Sequence, residues 1–346
     1  HNDHHQAGAY CPCLSFSPTD RCRLNRVRYR QGLDNTWMPA VLAVLTLLFM
    51  LPFLRPPTGS EVFDGHDLLY QQYPLYSFIF DRVRDGAGLP LWNPYLFSGQ
   101  SIVANPQSTI FYPPAWIMAL IGVPRGVGWL VVLHLWLGGW GMAQFTRRLG
   151  ASPVGALAGG IIYEFSGLMA AHLNAGHINY LLCAAWLPWL AAAYLWSVER
   201  PNRLLAALPG AAVLGLAILS GHPPQLYFGL LWLAALWVYL VVTKRAAPLP
   251  ALRPLVVIAV GGAALGAALL LPVADFTLRS TRTQGSLGFS GSYALPGAQL
   301  LTLLIPNLFG EPNQGYWGLP FYEELTAYLG ILPLLVPFLV RRRPAA

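Results

Sequence analysis

At 346 residues, with 55% hydrophobic and only 10% charged side chains, the chain is too apolar for an ordinary soluble domain and leaves no room for a large soluble one beside its apolar runs. Uncharged runs of about 20 residues recur, each long enough to cross ~30 Å of hydrocarbon as a helix. The net charge of +7 does not point to nucleic acid, because the basic residues sit in small clusters beside apolar runs, the pattern that orients a chain in a bilayer.

Residues 1–36 read as a disordered, basic cytoplasmic tail. A metal site from His1, His4, His5, Cys11 and Cys13 is the alternative, with a plain polar terminus the preferred reading. The chain begins at His1 rather than Met, which reads as a fragment or a displaced start. The first apolar run starts near Trp37 behind a long basic tail, so it reads as an uncleaved first span rather than a signal peptide. Cys11, Cys13, Cys22 and Cys183 form no convincing framework.

Spanning runs are Trp37–Leu54, Gly126–Phe145, Ala151–Ala171 (broken only by Glu164), Ile178–Val198, Leu204–Ser220, Pro223–Thr243, Pro254–Ala274 and Leu325–Val340. With the N-terminus inside, fifteen of the twenty-one Lys and Arg fall on inner segments, from Arg21 through Arg147, Arg200 and Lys244 to Arg343. The outer segments hold Arg55, Arg82, Arg84, Arg125, Arg279 and Arg282. This bias predicts eight spans with both ends cytoplasmic. It requires that Phe111–Val123, which is short and opens Phe-Tyr-Pro-Pro, be interfacial or re-entrant. The expected fold is an all-α membrane protein with two long outer loops, 55–125 and 275–324. Long polar loops on one side place the work on that side.

In the first loop, Leu75, Phe78, Ile79 and Val83 recur at helical spacing up to Gly86, which predicts an amphipathic helix over Leu68–Arg84 lying on the membrane surface, bent or restarted at Pro74. Pro90-Leu-Trp-Asn-Pro94 and Asn105-Pro-Gln107 read as ordered turns with polar groups to spare.

Asp64 and Asp67 are three apart, so on a helical turn their carboxylates share a face and suit metal binding or base chemistry. The alternative is that Asp67 merely caps the helix that follows it. His66 lies between the two acids, His172 and His177 bracket one outer turn, and His222 with Gln225 occupies another. Glu323 and Glu324 open the last span on the same side. Together they make a polar cluster at helix mouths, a site hypothesis. A zinc site from His66, His172, His177 and His222 is a further alternative. His134 and Glu164 fall inside spans, where burying charge is costly. His134 reads as a neutral packed histidine, and the role of Glu164 is open.

Gly65-His-Asp67-Leu-Leu with Gln71-Gln-Tyr-Pro74, Gly88-Leu-Pro-Leu-Trp-Asn-Pro94, Ser98-Gly-Gln100, Ala104-Asn-Pro-Gln107 and Phe111-Tyr-Pro-Pro114 form a set. Phe165-Ser-Gly167, Gly176-His177, Trp186-Leu-Pro-Trp189, Gly221-His-Pro-Pro-Gln225 and Glu324 before Tyr328-Leu-Gly-Ile-Leu-Pro333 extend it. Over residues 37 to 340 this set resembles the YfhO-type bacterial membrane proteins, which belong with the GT-C glycosyltransferases. The resemblance implies an acidic residue, here Asp67 with Asp64 second, on an outer loop after the first span. That acid works with a polyprenyl-phosphate-linked sugar. It also implies a longer protein, so the chain reads as truncated at its C-terminus.

The expected function is transfer of a sugar from a polyprenyl-phosphate donor to a cell-envelope acceptor hydroxyl at the outer face of a bacterial plasma membrane. Asp67 and Asp64 are the candidate catalytic groups, as general base or as ligands of a divalent ion such as magnesium or manganese. His66, Gln71, Asn93, Gln107, His177, His222, Gln225, Arg279, Arg282 and Glu324 are the candidate substrate-binding residues. The arginines or the metal would meet the charge on the leaving phosphate. Trp92, Tyr95 and Trp317 suit stacking on a sugar ring and equally suit interfacial anchoring. The competing reading is a non-catalytic transporter of lipid or solute, which predicts internal repeats and polar residues near mid-membrane.

Overall fold

The structure, a computed structural model, describes residues 37–54, 65–200, 203–281, 296–311 and 315–318, together with Tyr322, Tyr328, Gly330 and Pro333. Helix α1, Trp37–Leu54, buries Met38, Leu42, Thr46 and Met50, one residue per turn, as a helix with one inward stripe must. Its other side leaves Val44, Leu48, Phe49, Leu51 and Phe53 exposed, an apolar outer surface suited to lipid.

The Leu68–Arg84 segment is helical throughout, as Leu68–Gln72, Tyr73–Tyr76, Ser77–Asp81 and Arg82–Arg84. The first and third pieces have the wide five-residue register, in which the Tyr73 amide reaches back to the Leu68 carbonyl. Pro74 lacks an N–H and cannot donate to the turn before it, and the helix passes it between two wide turns. Leu68, Leu75, Tyr76, Ile79 and Phe80 are fully enclosed and pack with Tyr112, Met118, Val127 and Leu130. The apolar face thus packs against protein, and it runs through Leu68 and Tyr76 beside the expected Leu75 and Ile79, with Phe78 partly buried next to it.

A two-strand hairpin follows, β1 (Trp92–Asn93) antiparallel to β2 (Gln100–Ser101), with Trp92 opposite Ser101. The stretch Phe111–Val123 forms a tight turn at Pro113–Trp116 and a five-residue helix α2, Ile117–Ile121. At 1.5 Å per residue such a helix is far too short to cross.

Helix α3, Val123–Arg148, lies along α6, Ile178–Val198. Between them the chain forms α4, Pro153–Glu164, and α5, Gly167–Ala175. The expected single span Ala151–Ala171 is therefore two helices with a break at Phe165 and Ser166. Ser166 causes it, since its hydroxyl accepts the Met169 amide proton and caps a new helix. A tight turn at Leu204–Ala207 leads into α7, Leu208–Leu219, followed by α8, Pro223–Val242. The expected Pro254–Ala274 span starts earlier and is divided, into α9, Pro248–Leu265, and α10, Ala267–Leu278, which meet at Gly266. The expected span Leu325–Val340 lies outside the described residues.

Among the described residues, six spans are long and apolar enough to cross a bilayer: α1, α3, α4 with α5, α6, α8 and α9. The chain is a multi-pass, all-α membrane protein.

Candidate active site

Three connections meet at one end of this bundle: the start of the Leu68–Arg84 helix, the α5–α6 turn and the α7–α8 turn. The first two approach at the backbone level. A Cβ on Gly65 would lie 2.5 Å from the Gly176 nitrogen, and one on Gly176 would lie 2.6 Å from both the Cβ and the nitrogen of Leu68. Gly176 also closes α5 in the left-handed region, at φ +85°, where its amide satisfies the last carbonyls of that helix. A pair of residues without side chains is what lets the Asp67 segment rest on the His172–His177 turn.

That approach puts Asp67 Oδ2 3.1 Å from His177 Nε2, while Asp67 Oδ1 is 3.6 Å from His66 Nδ1. Asp67 is not a cap: its backbone is already helical and its side chain makes no capping bond. His177 Nδ1 lies 2.8 Å from His172 Nδ1. Proton counting orders this chain. A carboxylate only accepts, so His177 donates to Asp67 from Nε2. Between the two Nδ1 atoms one imidazole donates and the other accepts.

His172 is buried and stacks on Tyr180, ring centroids 3.5 Å apart at 16°. Tyr180 also meets His222, edge-on at 5.4 Å. His222 Nδ1 accepts the Gln225 amide proton at 3.2 Å, capping α8. This requires an unprotonated Nδ1. Burial first, and then the nearby His177, push the His222 imidazole down to about 4.

A second polar chain ties the same three connections together. The Tyr76 hydroxyl donates to Asn179 Oδ1 at 3.2 Å, and Asn179 Nδ2 donates to the Ser220 carbonyl at 2.8 Å. Gln71 and Gln107 are bonded through their side-chain amides. The turn carrying Gln107 presses its Pro106 carbonyl against Gly221.

The structure therefore gathers Asp67, His66, His172, His177 and His222 at one mouth, with Gln71 and Gln107 bonded to each other. Asn93 is elsewhere engaged: it is buried and its Oδ1 accepts the Tyr95 amide, holding the β1–β2 turn. Gln225 supplies its backbone amide to His222. Arg279 is exposed and pairs with Asp275 one turn back on α10, at 3.0 Å. Trp92, Tyr95 and Trp317 are all exposed, Tyr95 edge-on to Phe78. Asp64, Arg282, Glu323 and Glu324 lie outside the described residues, as does the Cys- and His-containing N-terminus.

Tyr180, Asn179 and Tyr76 are members of the cluster that sequence reasoning missed. Tyr180 and Asn179 had a signal: polar groups in the first turn of an apolar span, directly after His177.

Among the described residues, no three His, Cys, Asp or Glu side chains gather as a metal site. Asp67 supplies a carboxylate and its neighbours are imidazoles bonded to one another, whereas magnesium or manganese takes a cage of about six oxygens. The described side chains alone do not form that cage.

The other two ionisable candidates lie inside the bundle. His134 donates from Nδ1 to the Leu130 carbonyl at 2.6 Å and accepts the Tyr112 hydroxyl proton at Nε2. Tyr112 in turn accepts from Trp186 Nε1 at 2.7 Å. His134 is thus a neutral, satisfied packing residue. Glu164 is buried and bonded to Thr46 of α1.

No protein-family model, curated protein or solved structure matches the chain.

Proposed function

We propose that the chain is a membrane enzyme that transfers a sugar from a polyprenyl-phosphate donor to an acceptor hydroxyl, with Asp67 as general base. The observation that carries this reading is the contact between Asp67 and His177, 3.1 Å long, at the mouth where three connections between helices converge. The motif set around Asp67, which resembles the YfhO-type proteins of the GT-C superfamily, supplies the reaction class. In the full arrangement the chain makes eight spans in a bacterial plasma membrane, with both termini cytoplasmic and the mouth outside, as the distribution of Lys and Arg favours.

The acceptor oxygen attacks the anomeric carbon, its proton passes to Asp67, and the bond between that carbon and the lipid phosphate breaks. His177 Nε2–H holds Oδ2 in place, which leaves Oδ1 as the base. His172, 2.8 Å from His177 Nδ1, holds the His177 ring with its Nε2 turned to Asp67. His66, at 82% side-chain exposure, is the group beside Asp67 best placed to meet the departing phosphate when protonated. A lipid-borne donor enters such a mouth laterally from the bilayer, which is why this chemistry belongs in a membrane protein.

The test is to incubate the purified chain in lipid vesicles with labelled polyprenyl-phosphate sugars and envelope acceptors. A covalent sugar–acceptor product is expected. Sugar or lipid flux across the vesicle without any covalent product would instead establish the transporter reading.

A further inference from the structure

Glu164 takes no part in the mouth, yet it is the carboxylate most enclosed by protein among the described residues, 2% exposed. It ends α4 at the break in that span. One oxygen, Oε1, is bonded to the Thr46 hydroxyl of α1, and the other, Oε2, has no hydrogen-bond partner among the described residues. Oε2 rests against Gly139 of α3, where an added Cβ would sit 2.3 Å from it. The Thr46 hydroxyl also lies 2.8 Å from the Leu42 carbonyl one turn back.

Thr46 has a single hydroxyl proton, and both the Leu42 carbonyl and a carboxylate can only accept. With that proton on Leu42, the Thr46–Glu164 bond needs its proton from Glu164. The alternative gives an ionised carboxylate at most one donor in a protein interior inside a membrane, where an unpaired charge costs far more than a neutral acid with one unmet oxygen. No cation relieves it among the described residues. Helix α1 has no ionisable side chain. On α3, Arg147 bonds the Ala151 carbonyl, Arg148 pairs with Glu199, and His134 is committed to Leu130 and Tyr112. Arg125 lies in the first turn of α3, at the opposite end from Arg147 and Arg148. On α4 the Tyr163 hydroxyl donates to the Ala184 carbonyl, and on α5 His172 is engaged with His177. The nearby Phe49–Phe165 edge contact at 5.2 Å is apolar.

We propose that Glu164 is a proton-binding site of the membrane interior, held as a neutral acid whose O–H donates to Thr46 and so latches α1 to the break between α4 and α5. Because α5 carries His172 to the mouth, the proton on Glu164 fixes the base from which the cluster is built. The proposal does not depend on the sugar-transfer reading.

Isotope-edited infrared spectroscopy of the full chain, with carbon-13 glutamate and in lipid nanodiscs at neutral pH, tests it. A protonated-carboxyl stretch is expected in the wild-type protein, lost in Glu164→Gln and shifted in Thr46→Val. Glu164→Gln is expected to fold, because its amide N–H donates to Thr46 as the acid does. Absence of the band in the wild type overturns the proposal whatever the variants do. So does a band that survives Glu164→Gln, one unmoved by Thr46→Val, or failure of the amide isostere to fold.

Discussion

Replacing Gly176 with alanine tests whether the Asp67 segment truly rests on the α5–α6 turn. Gly176 has φ +85°, so any side chain there bears the left-handed penalty, ~1–2 kcal/mol. The new Cβ would also meet the Leu68 backbone nitrogen and Cβ at 2.6 Å. Neither atom is the free end of a flexible side chain, so the segment must move, at an overpacking cost of ~1–3 kcal/mol. The total is ~2–5 kcal/mol. Gly86 is the control: its φ is +77°, and nothing lies within 4 Å of an added Cβ, so Gly86→Ala should lose only the ~1–2 kcal/mol of backbone strain. Denaturation of both variants in detergent gives the difference, and transfer assays should show Gly176→Ala impaired, since Leu68 adjoins Asp67, with Gly86→Ala unaffected. Equal loss of stability in the two variants would refute the argued contact.

Three further outcomes are expected. Tyr112→Phe leaves the His134 ring without its donor and Trp186 Nε1–H without its acceptor, and should cost about 1–3 kcal/mol in a melting experiment; no change would mean this buried network is already satisfied otherwise. His222 has a native value near 4 against 6.5 ordinarily, so between those values the unfolded chain binds the extra proton; its stabilising contribution is complete above pH 6.5 and is lost as pH falls toward 4. His222→Asn keeps a cap that does not titrate, and should flatten that part of the stability profile; an unchanged slope would assign it to another group. Asn179→Leu should break the link from Tyr76 to the α7–α8 turn and speed hydrogen exchange at Gly221 and His222, whereas unaltered exchange would show that the link does not hold the mouth together.

Much of this architecture was legible in the chain. The runs beginning at Trp37, Ile178 and Pro223 become helices with nearly the expected bounds, because uncharged length alone defines a span. The gathering of His172, His177 and His222 with Asp67 followed from counting helices, which puts alternate turns at one end. Other features depend on details that periodicity does not carry. The break after Glu164 is set by one hydroxyl, on Ser166, capping against the Met169 amide. The Leu68–Arg84 helix buries Leu68, Leu75, Tyr76 and Ile79, at i, i+7, i+8 and i+11 on one helix face, a stripe that opens earlier than the expected one and leaves Phe78 partly buried at its edge. Asn93 and Arg279 looked free for substrate, yet short-range bonds to the Tyr95 amide and to Asp275 occupy them. The Gly65–Gly176 approach is invisible without coordinates, since two glycines distant in sequence give no sign that they meet.

The most direct test of the account is sugar transfer by Asp67→Asn, measured beside the wild-type chain in the same vesicles and at equal folded protein. The asparagine side chain matches the acid in shape but cannot take the acceptor proton, so the rate should fall about 10²–10⁴-fold. A folded Asp67→Asn protein that transfers sugar at the wild-type rate would contradict the assignment of Asp67 as the base.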